Sequence, residues 1–427
     1  MNKTISEPAR ETPVAGEYDV VVAGAGPAGF ATAVVAARQG AKTCLVEQCG
    51  GVGGVATSGL MSHWTGNTKG GFYEEILARS AGASMGKTID PEKLHSVMLE
   101  MLAEAGVDLR LYTFASAPVM DGENKVAGLI AESKTGRQAF LSKVLVDASG
   151  DGDIAARAGA EFKAGRDPDG AMQPMTLMFK VGGVDTGRAI FPGSFETKVD
   201  VPAGEIQALA REHIPHPAGH VLLYRSTLPG IVTCNMTNVI GVDGAKAEDL
   251  TKAQIVCRRQ IPLIVDFLRK YAPGYENCFV ISAAAQIGVR ETRHFVGLQT
   301  ITEDDIQTAR VFPDWVVTKA HFNFDIHNLK GAGLDEHGAQ HNFTQPEGYT
   351  IPYGCLVPAK LDGLLLAGRN ISGTHKAHSN YRVMPICANM GQAAGIAAAL
   401  AASRGIEPRA VPVADIQAEL RKQGVEP

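Results

Sequence analysis

The chain has 427 residues, of which 45% are hydrophobic and 20% are charged, and its formal net charge is −5. This balance is typical of a globular protein with two or three domains, and it argues against nucleic acid or an anionic membrane surface as the main partner. Residues 1–16 are polar and contain no apolar signal segment, so we predict a flexible tail and a cytoplasmic protein.

A dinucleotide-binding motif follows this tail. Residues 18–23 form an apolar run that predicts a buried parallel strand, and the next six residues read GAGPAG. In such a turn the glycines allow a tight bend and a close approach of the backbone, and the N-terminus of the next helix binds phosphate. We predict that a pyrophosphate contacts Gly24, Gly26, Pro27, Ala28 and Gly29.

A second apolar strand, Lys42–Val46, ends at Glu47, which lies 21 residues after Gly26. A carboxylate at this position accepts hydrogen bonds from the hydroxyls of an adenosine ribose and repels a 2′-phosphate, which disfavours NADP. Cys44 and Cys49 have the spacing of the redox disulfide of flavin disulfide reductases, but that pair has to follow the ribose-binding acid and Cys44 precedes it. We therefore expect all seven cysteines to be reduced thiols.

The next segments continue an α/β pattern. Residues 90–106 predict an amphipathic helix with aspartate as its N-cap, proline in its first turn and glycine at its end. Short β segments are predicted at about 108–113, 125–133 and 138–146. Residues 144–160 then combine a strand, a glycine turn and a helix. The start of this turn resembles a calcium loop, but its twelfth position is Ala158 and offers no carboxylate, so we reject a calcium site.

The character of the chain changes between residues 161 and 348. Alternating apolar segments predict a mostly antiparallel sheet there, with a helix at about 249–271. A buried strand at 364–367 and a helix rich in glycine and alanine from Met384 then return to the α/β pattern. We predict an α/β protein in which a Rossmann-like domain of residues 17–160 and 349–427 contains an inserted substrate domain of residues 161–348.

Five segments carry a family resemblance: GAGPAG, GGVGGVATSG, VDASGDGDIAARAGA, GVRETR and LLLAGRNISGTHKAHSNYRVMP. They resemble the FAD-dependent oxidoreductases of the glutathione-reductase-like superfamily, on the branch related to the fumarate reductase and succinate dehydrogenase flavoproteins. The resemblance implies a glutathione-reductase-like FAD-binding fold and a C-terminal motif that closes over the flavin. It adds predicted cofactor contacts at Gly53, Gly54, Ala148, Gly150, Gly368, Arg369, Arg382 and Gly391.

Three arginines and two histidines are the main candidates for substrate chemistry. Arg290 and Arg293 could form a clamp on a substrate carboxylate, or they could brace the structure through ion pairs. His375 and His378 lie in a predicted loop, where one of them, and His378 in particular, could accept a proton during hydride transfer; a structural role is the alternative. Arg382 could hold negative charge on the flavin or the substrate at the start of the last long helix.

Other histidines are weaker candidates. Some flavoproteins of this branch bind FAD covalently through a histidine, but the corresponding position is Val55, and His63 lies eight residues later, so we predict non-covalent FAD. The segment HIPHPAGH contains His213, His216 and His220. Its prolines break any helix that would align the rings, and no acidic or cysteine ligand lies beside them, so we predict no metal.

The sequence therefore predicts an FAD-dependent oxidoreductase that transfers a hydride between flavin N5 and a small, anionic organic substrate. The electron partner is left open among oxygen, a quinone, NAD(P)H and a redox protein, as is a homo-oligomer, and we expect neither nucleic acid nor a membrane span. Two alternatives are a flavin monooxygenase fed by NAD(P)H and an electron-transfer subunit of a larger complex. The sequence has no cysteine cluster for an iron–sulfur centre, which counts against the second alternative.

Overall fold

The computed structural model describes residues 4–80, 88–167, 169–335 and 348–427. Its strands are β1 (Val14–Ala23), β2 (Thr43–Val46), β3 (Asp108–Arg110), β4 (Phe114–Met120), β5 (Val126–Ser133), β6 (Gly136–Asp147), β7 (Phe162–Ala164), β8 (Phe179–Gly182), β9 (Asp200–Val201), β10 (Gly204–Glu205), β11 (Leu223–Arg225), β12 (Val232–Cys234), β13 (Phe279–Ala283), β14 (Arg293–Phe295), β15 (Trp315–Ala320), β16 (Tyr349–Pro352) and β17 (Leu364–Leu366). Its helices are α1 (Pro27–Arg38), α2 (Phe72–Ser80), α3 (Pro91–Ala105), α4 (Asp153–Arg157), α5 (Ile206–His213), α6 (Ala247–Tyr271), α7 (Glu303–Gln307), α8 (His375–Tyr381), α9 (Met384–Arg404) and α10 (Val413–Lys422).

The larger sheet is a Rossmann-like core. Its seven strands include the path β3-β2-β1-β6-β5-β4, and β17 pairs with the last residues of β6. Strands β1, β2, β3, β6 and β17 run parallel, so their carboxyl ends meet at one edge, where α/β proteins bind ligands. Strands β4 and β5 extend the sheet in antiparallel fashion. The predicted α/β class is confirmed, but β1 already begins at Val14, so the end of the predicted tail 1–16 belongs to the sheet.

Helix α9 packs directly against α1. A Cβ on Gly391 would lie 2.0 Å from the Ala28 carbonyl oxygen, and a Cβ on Gly395 would lie 2.6 Å from that of Thr32. Gly391 is therefore a helix-packing position, which corrects its predicted role as a cofactor contact. Among the described helices, only α9 is long and apolar enough to cross a membrane, but 89% of its apolar window is buried inside the protein. Its composition reflects this place in the core.

A second hydrophobic core lies against the antiparallel sheet β11-β12-β8-β13. Helices α5 and α6 contribute their apolar faces to it, and α6 matches the helix predicted at about 249–271. This core contains residues from Met175 to Ala284, whereas residues from Phe295 to Phe324 pack in the first core. The predicted insertion of residues 161–348 therefore includes segments of the first core, because an alternating pattern predicts strands but not the core that buries them.

Candidate functional site

Two glycine segments face each other at the carboxyl end of β1. Gly24 has a φ of +93°, and a Cβ there would lie 2.7 Å from a carbonyl oxygen of the loop after β6, so only glycine fits this turn. Gly26 is the N-cap of α1, and a Cβ on it would meet no atom within 4 Å. A Cβ on Gly54 would lie 3.1 Å from Gly26 Cα, and Gly53 N donates to Ala25 O at 2.7 Å. We call this narrow opening at the N-terminus of α1 the phosphate cradle.

Glu47 lies at the end of β2 beside the phosphate cradle, and it is buried. Its Oε2 accepts a hydrogen bond from Ala25 N at 2.7 Å, and its Oε1 accepts one from Cys49 N at 2.8 Å. These bonds fix the orientation of the carboxylate. Because a carboxylate has about four lone-pair sites, Glu47 can still accept hydrogen bonds from ribose hydroxyls. The geometry fits the predicted ribose contact.

The loops after β6 and β17 close the other side of the phosphate cradle. A Cβ on Gly150 would lie 2.7 Å from Arg369 Nη2, which donates to Asp151 Oδ1 at 3.0 Å. Within the described residues, the buried Arg369 Nη1 has no hydrogen-bond partner. A Cβ on Gly368 would lie 3.3 Å from Ala28 Cβ, so this loop also approaches α1 closely. The unpaired guanidinium nitrogen fits a phosphate oxygen.

Together these features fit FAD. The N-terminus of α1 and the facing glycines can bind a pyrophosphate, Glu47 can bind a ribose, and Arg369 can supply a cation. Helix α9 begins at Met384, two turns before it crosses α1. The positive end of its dipole would stabilise negative charge on a reduced flavin bound near this N-terminus.

The structure separates the two arginines of GVRETR. Arg293 Nη1 donates to the Asp151 carbonyl oxygen and forms an ion pair with Asp153 Oδ1, both at 2.9 Å. Arg290 is buried, and its Nη1 donates to the Pro174 carbonyl oxygen at 2.6 Å. The predicted clamp by both arginines does not fit this geometry, because Arg293 braces the turn before α4 and only Arg290 faces the second core.

Arg290 belongs to a buried polar cluster between the two cores. Arg382 Nη2 donates to Asp325 Oδ2 at 2.7 Å and to the Asp325 carbonyl oxygen at 2.9 Å. His327 Nε2 lies 3.3 Å from the same Oδ2. The ring of Phe195 contacts His327 and a second histidine edge to face, with centroids 5.2 and 5.0 Å apart. The inter-core cluster, as we call it, consists of His220, Tyr224, Arg290, Asp325, His327 and Arg382.

The inter-core cluster carries an excess positive charge. Burial, together with His327 and Arg290, lowers the pKa of His220 to about 3. Burial and Arg290 lower the pKa of His327 to about 4, although Asp325 raises it, so both imidazoles are neutral at neutral pH. Burial alone would raise the pKa of Asp325. His327 and Arg382 outweigh this effect, so the pKa lies below its ordinary value. Burial and Arg382 lower the pKa of Arg290 to about 10, where it stays protonated. Two guanidinium groups thus face one carboxylate.

The inter-core cluster is connected along the chain to the N-terminus of α9 and to the segment that contains Gly53 and Gly54. Arg382 is the C-cap of α8, and the next residue, Val383, is the N-cap of α9. His63 follows Gly54 by nine residues and stacks on Tyr224 with ring centroids 5.1 Å apart. A ligand in the cluster would therefore lie between the N-terminus of α9 and the small antiparallel sheet.

Glu291 organises a second group of histidines. Its Oε1 accepts hydrogen bonds from His294 Nε2 at 2.8 Å and His375 Nδ1 at 2.5 Å, and its Oε2 accepts one from Gln173 N at 3.0 Å. Burial raises the pKa of Glu291, but the two histidine bonds lower it to about 2. Ligand atoms of Glu291, His294 and His378 lie within 4.8 Å of one another, close enough for a metal ion. Because donors already occupy both oxygens, we interpret the group as a hydrogen-bonded Glu291 hub, and the absence of a metal stays a prediction.

The predicted titration of His378 near neutral pH does not fit the structure, whereas its role as a proton acceptor stays a prediction. His378 lies on the short helix α8, where the sequence predicts a loop, and it is buried. Burial, His294 and Arg382 lower the pKa of His378 well below its ordinary value, so it stays neutral. His375 is held by Glu291 through Nδ1 and remains a predicted candidate.

The three histidines of HIPHPAGH have separate surroundings. His213 stacks on Tyr271 with ring centroids 4.8 Å apart, His216 Nε2 contacts the Lys330 carbonyl oxygen at 2.9 Å, and His220 lies in the inter-core cluster. The three side chains thus have different partners, and the absence of a metal at this segment stays a prediction. All seven cysteines, which are among the described residues, are free thiols.

Sequence reasoning misses His220, Asp325 and His327 as site residues. The segment FNFDIH, residues 322–327, alternates apolar and polar residues, which places its asparagine, aspartate and histidine on one face of an extended chain. This signal is weak because the segment lies in no recognised motif. The partners of these residues come from distant parts of the chain, and no local pattern identifies them.

Comparison with known proteins supports an enzyme that uses FAD. Residues 19–420 match the family described as FAD dependent oxidoreductase. A digeranylgeranylglycerophospholipid reductase from Methanococcoides burtonii is 25% identical over a region that covers 42% of this chain and 50% of the relative. One from Picrophilus torridus is 29% identical over 31% of this chain and 39% of the relative. The alignments thus span half or less of the length of these curated relatives.

A solved structure shows the same fold. A geranylgeranyl bacteriochlorophyll reductase-like protein from Thermoplasma acidophilum matches 95% of this chain and 83% of its own, with a TM-score of 0.50 and 14% identity. At this identity the likeness concerns the fold alone. Since the family match covers almost the whole chain, the protein belongs to the FAD-dependent oxidoreductase family, is an enzyme and has FAD as its cofactor.

Proposed function

We propose that this oxidoreductase transfers a hydride between FAD and a small organic anion that binds in the inter-core cluster. The observation that carries the proposal is the excess positive charge of a buried site, where Arg290 and Arg382 face a single carboxylate, Asp325. Burial of an uncompensated charge costs several kcal/mol, so a bound anion would stabilise the cluster. A carboxylate is the group that a guanidinium recognises best.

The residues of the chain would bind and orient this anion. In the part of the chain that the structure describes, the buried Arg382 Nε has no hydrogen-bond partner, so it can donate to a substrate oxygen. Asp325 fixes the guanidinium of Arg382, and the Pro174 carbonyl oxygen fixes that of Arg290. The ring of Phe195 and the buried ring of Tyr224 border the same site. FAD supplies the acceptor or donor of the hydride.

The polar lining also favours a small substrate. The curated relatives carry the names of lipid reductases, whereas the inter-core cluster consists of charged and polar side chains. The glutathione-reductase-like assignment and the place on the fumarate reductase branch stay predictions, as do the cytoplasmic location and the electron partner.

A carboxylate titration tests the proposed anion site. Glycolate, succinate and benzoate would each be added to the FAD-loaded enzyme while the flavin absorbance band is followed. We expect a carboxylate to perturb the band, and Arg290→Gln to weaken its binding roughly ten- to a hundredfold, because a hydrogen bond to a charged group contributes about 1.5–3 kcal/mol. Arg293→Gln is the matched control and should bind the carboxylate like the wild type, since Arg293 pairs with Asp153. Equal binding by wild type and Arg290→Gln would refute the site.

Anaerobic reduction separates the proposed oxidoreductase from a monooxygenase fed by NAD(P)H. The enzyme would be mixed with a panel of hydroxy and amino acids without oxygen or nicotinamide. We expect one class of compound to bleach the flavin band directly. Bleaching by NAD(P)H, with none of the panel compounds active, would instead favour the monooxygenase.

A further inference from the structure

Within the described residues, one ring nitrogen of His220 has no hydrogen-bond partner. The side chain is buried, and its Nε2 lies 3.0 Å from the backbone carbonyl oxygen of Asn235. Since a carbonyl oxygen only accepts hydrogen bonds, Nε2 must carry the proton. Burial, with His327 and Arg290, lowers the pKa of the ring to about 3, so the ring is neutral at neutral pH. Nδ1 is therefore a bare lone pair, and no donor in the described residues reaches it.

The surroundings of His220 combine this acceptor with positive charge. His327 and Arg290 act on the ring directly, and Asp325 and Arg382 adjoin these two groups. Burial raises the pKa of Tyr224 to about 12, so this neighbouring phenol keeps its proton. A buried acceptor beside an uncompensated guanidinium complements a ligand that has both a negative charge and an O–H or N–H donor.

We propose that His220 is the proton acceptor of the reaction and that its Nδ1 takes the proton from the hydroxyl or amino group next to the substrate carboxylate. This inference rests on the anion site proposed above. In the oxidative direction the C–H and O–H bonds of a carbinol break and a C=O bond forms. Bound FAD would supply the acceptor for the hydride and its two electrons, and Nδ1 would take the proton; the reductive direction would return both. An anion bound beside the ring would also favour its protonated form.

A purely structural His220 would need only its bond to Asn235. A glutamine can replace that bond, because its side-chain amide offers an N–H near the position of Nε2 but no basic nitrogen. His220→Gln therefore distinguishes a structural role from a chemical one. His213→Gln is a matched control, since His213 stacks on Tyr271 away from the inter-core cluster.

Nitrogen NMR of the FAD-loaded enzyme tests the proposal without a known substrate. With 15N-labelled histidine, the His220 signals are those that His220→Gln removes and His213→Gln retains. We expect Nε2 to be protonated and Nδ1 unprotonated at neutral pH; a protonated Nδ1 would overturn the proposal. Glycolate, whose hydroxyl lies beside its carboxylate and can donate to Nδ1, should shift the Nδ1 signal more than acetate, which lacks the hydroxyl and acts on the ring only through its charge. Glycolate that binds without shifting the Nδ1 signal more than acetate does would also overturn it.

Rapid reduction by the active compound of the panel gives the second test. We expect His220→Gln to bind FAD and carboxylate like the wild type but to reduce the flavin roughly a hundred- to ten-thousandfold more slowly, the usual effect of losing a general base. His213→Gln should react at the wild-type rate. If His220→Gln also reacts at that rate, the ring is structural and His220 is not the acceptor. If the wild type binds no carboxylate, the anion site is refuted instead. Failure of the anion site and failure of the His220 proposal therefore give different results.

Discussion

The free energy of unfolding should fall steeply between about pH 7 and about pH 5, because three buried histidines, His220, His327 and His378, stay neutral in the folded protein. The pKa of His220 is lowered from 6.5 to about 3 and that of His327 from 6.5 to about 4, in both cases mainly by burial. Between these folded values and 6.5 the unfolded chain binds more protons than the folded chain. The stabilisation is therefore complete above the unfolded pKa and is lost as the pH falls through this window.

The size of the effect follows from the two shifts. Since one pKa unit is worth about 1.4 kcal/mol, proton linkage gives a loss of about 2 kcal/mol for each of His220 and His327 between about pH 7 and about pH 5, or about 4 kcal/mol for the pair. Asp325 and Glu291 contribute little in this range, because their ordinary pKa values of 3.8 and 4.5 lie below it. The window thus separates the contribution of the histidines from those of Asp325 and Glu291.

Urea denaturation at three pH values in this window, with FAD in excess, measures the effect. His220→Gln and His327→Gln should each reduce the loss of stability by about 2 kcal/mol. His213→Gln is the control, because the side chain of His213 is 35% exposed, and it should leave the pH dependence unchanged. If neither cluster variant changes the slope, the two imidazoles are not held neutral in the fold. The net charge assigned to the inter-core cluster, on which the proposed anion site depends, would then be wrong as well.

The phosphate cradle, the helix contact and the Glu291 hub lead to four more expected outcomes. Glu47→Arg should lose FAD on gel filtration, because a donor replaces the acceptor for the ribose hydroxyls, and a fully yellow variant would contradict that contact. Acid precipitation of the wild type should release all FAD, whereas colour in the pellet would show a covalent link. Gly391→Ala should destabilise the protein by about 1–3 kcal/mol through overpacking against Ala28, while Gly193→Ala, where a Cβ meets no atom within 4 Å, should not; equal effects would contradict the packing. Metal analysis of the wild type should find no bound transition metal at the Glu291 hub. A metal that is present in the wild type and absent from Glu291→Gln would show that the hub is a metal site.

The parts of the molecule that local backbone chemistry determines were predictable from the sequence. The predicted N-cap Asp90 accepts a hydrogen bond from Glu92 N at 2.8 Å, and Gly106 ends α3 with a φ of +73°. Gly24 and Gly26 likewise occupy the turn that their spacing predicts. In each case the residue type and its immediate neighbours suffice, because the required dihedral angle or cap is a property of a few adjacent residues.

Contacts between distant segments were not predictable in this way. From the sequence alone, the glycines of α9 could serve either contact with a cofactor or close packing against another helix. The position of α1 in the structure shows that Gly391 packs against that helix. Arg290 and Arg293 are three residues apart and share a motif, yet β14 begins at Arg293, and its side chain pairs with Asp153. A short motif identifies residues of the right chemistry, but their partners depend on the packing of whole elements.

This difference also separates the two halves of the site in function. The FAD half depends on backbone geometry, since a Cβ on Gly24 would lie 2.7 Å from a backbone oxygen and one on Gly54 would lie 3.1 Å from Gly26 Cα. The proposed substrate half would depend on side-chain charge, since the inter-core cluster is assembled from segments around residues 220, 290, 325 and 382. A substitution such as Arg290→Met would remove the excess charge without touching the phosphate cradle. The class of substrate can therefore change in this fold while FAD binding stays intact, which is why FAD binding follows from sequence motifs and the substrate does not.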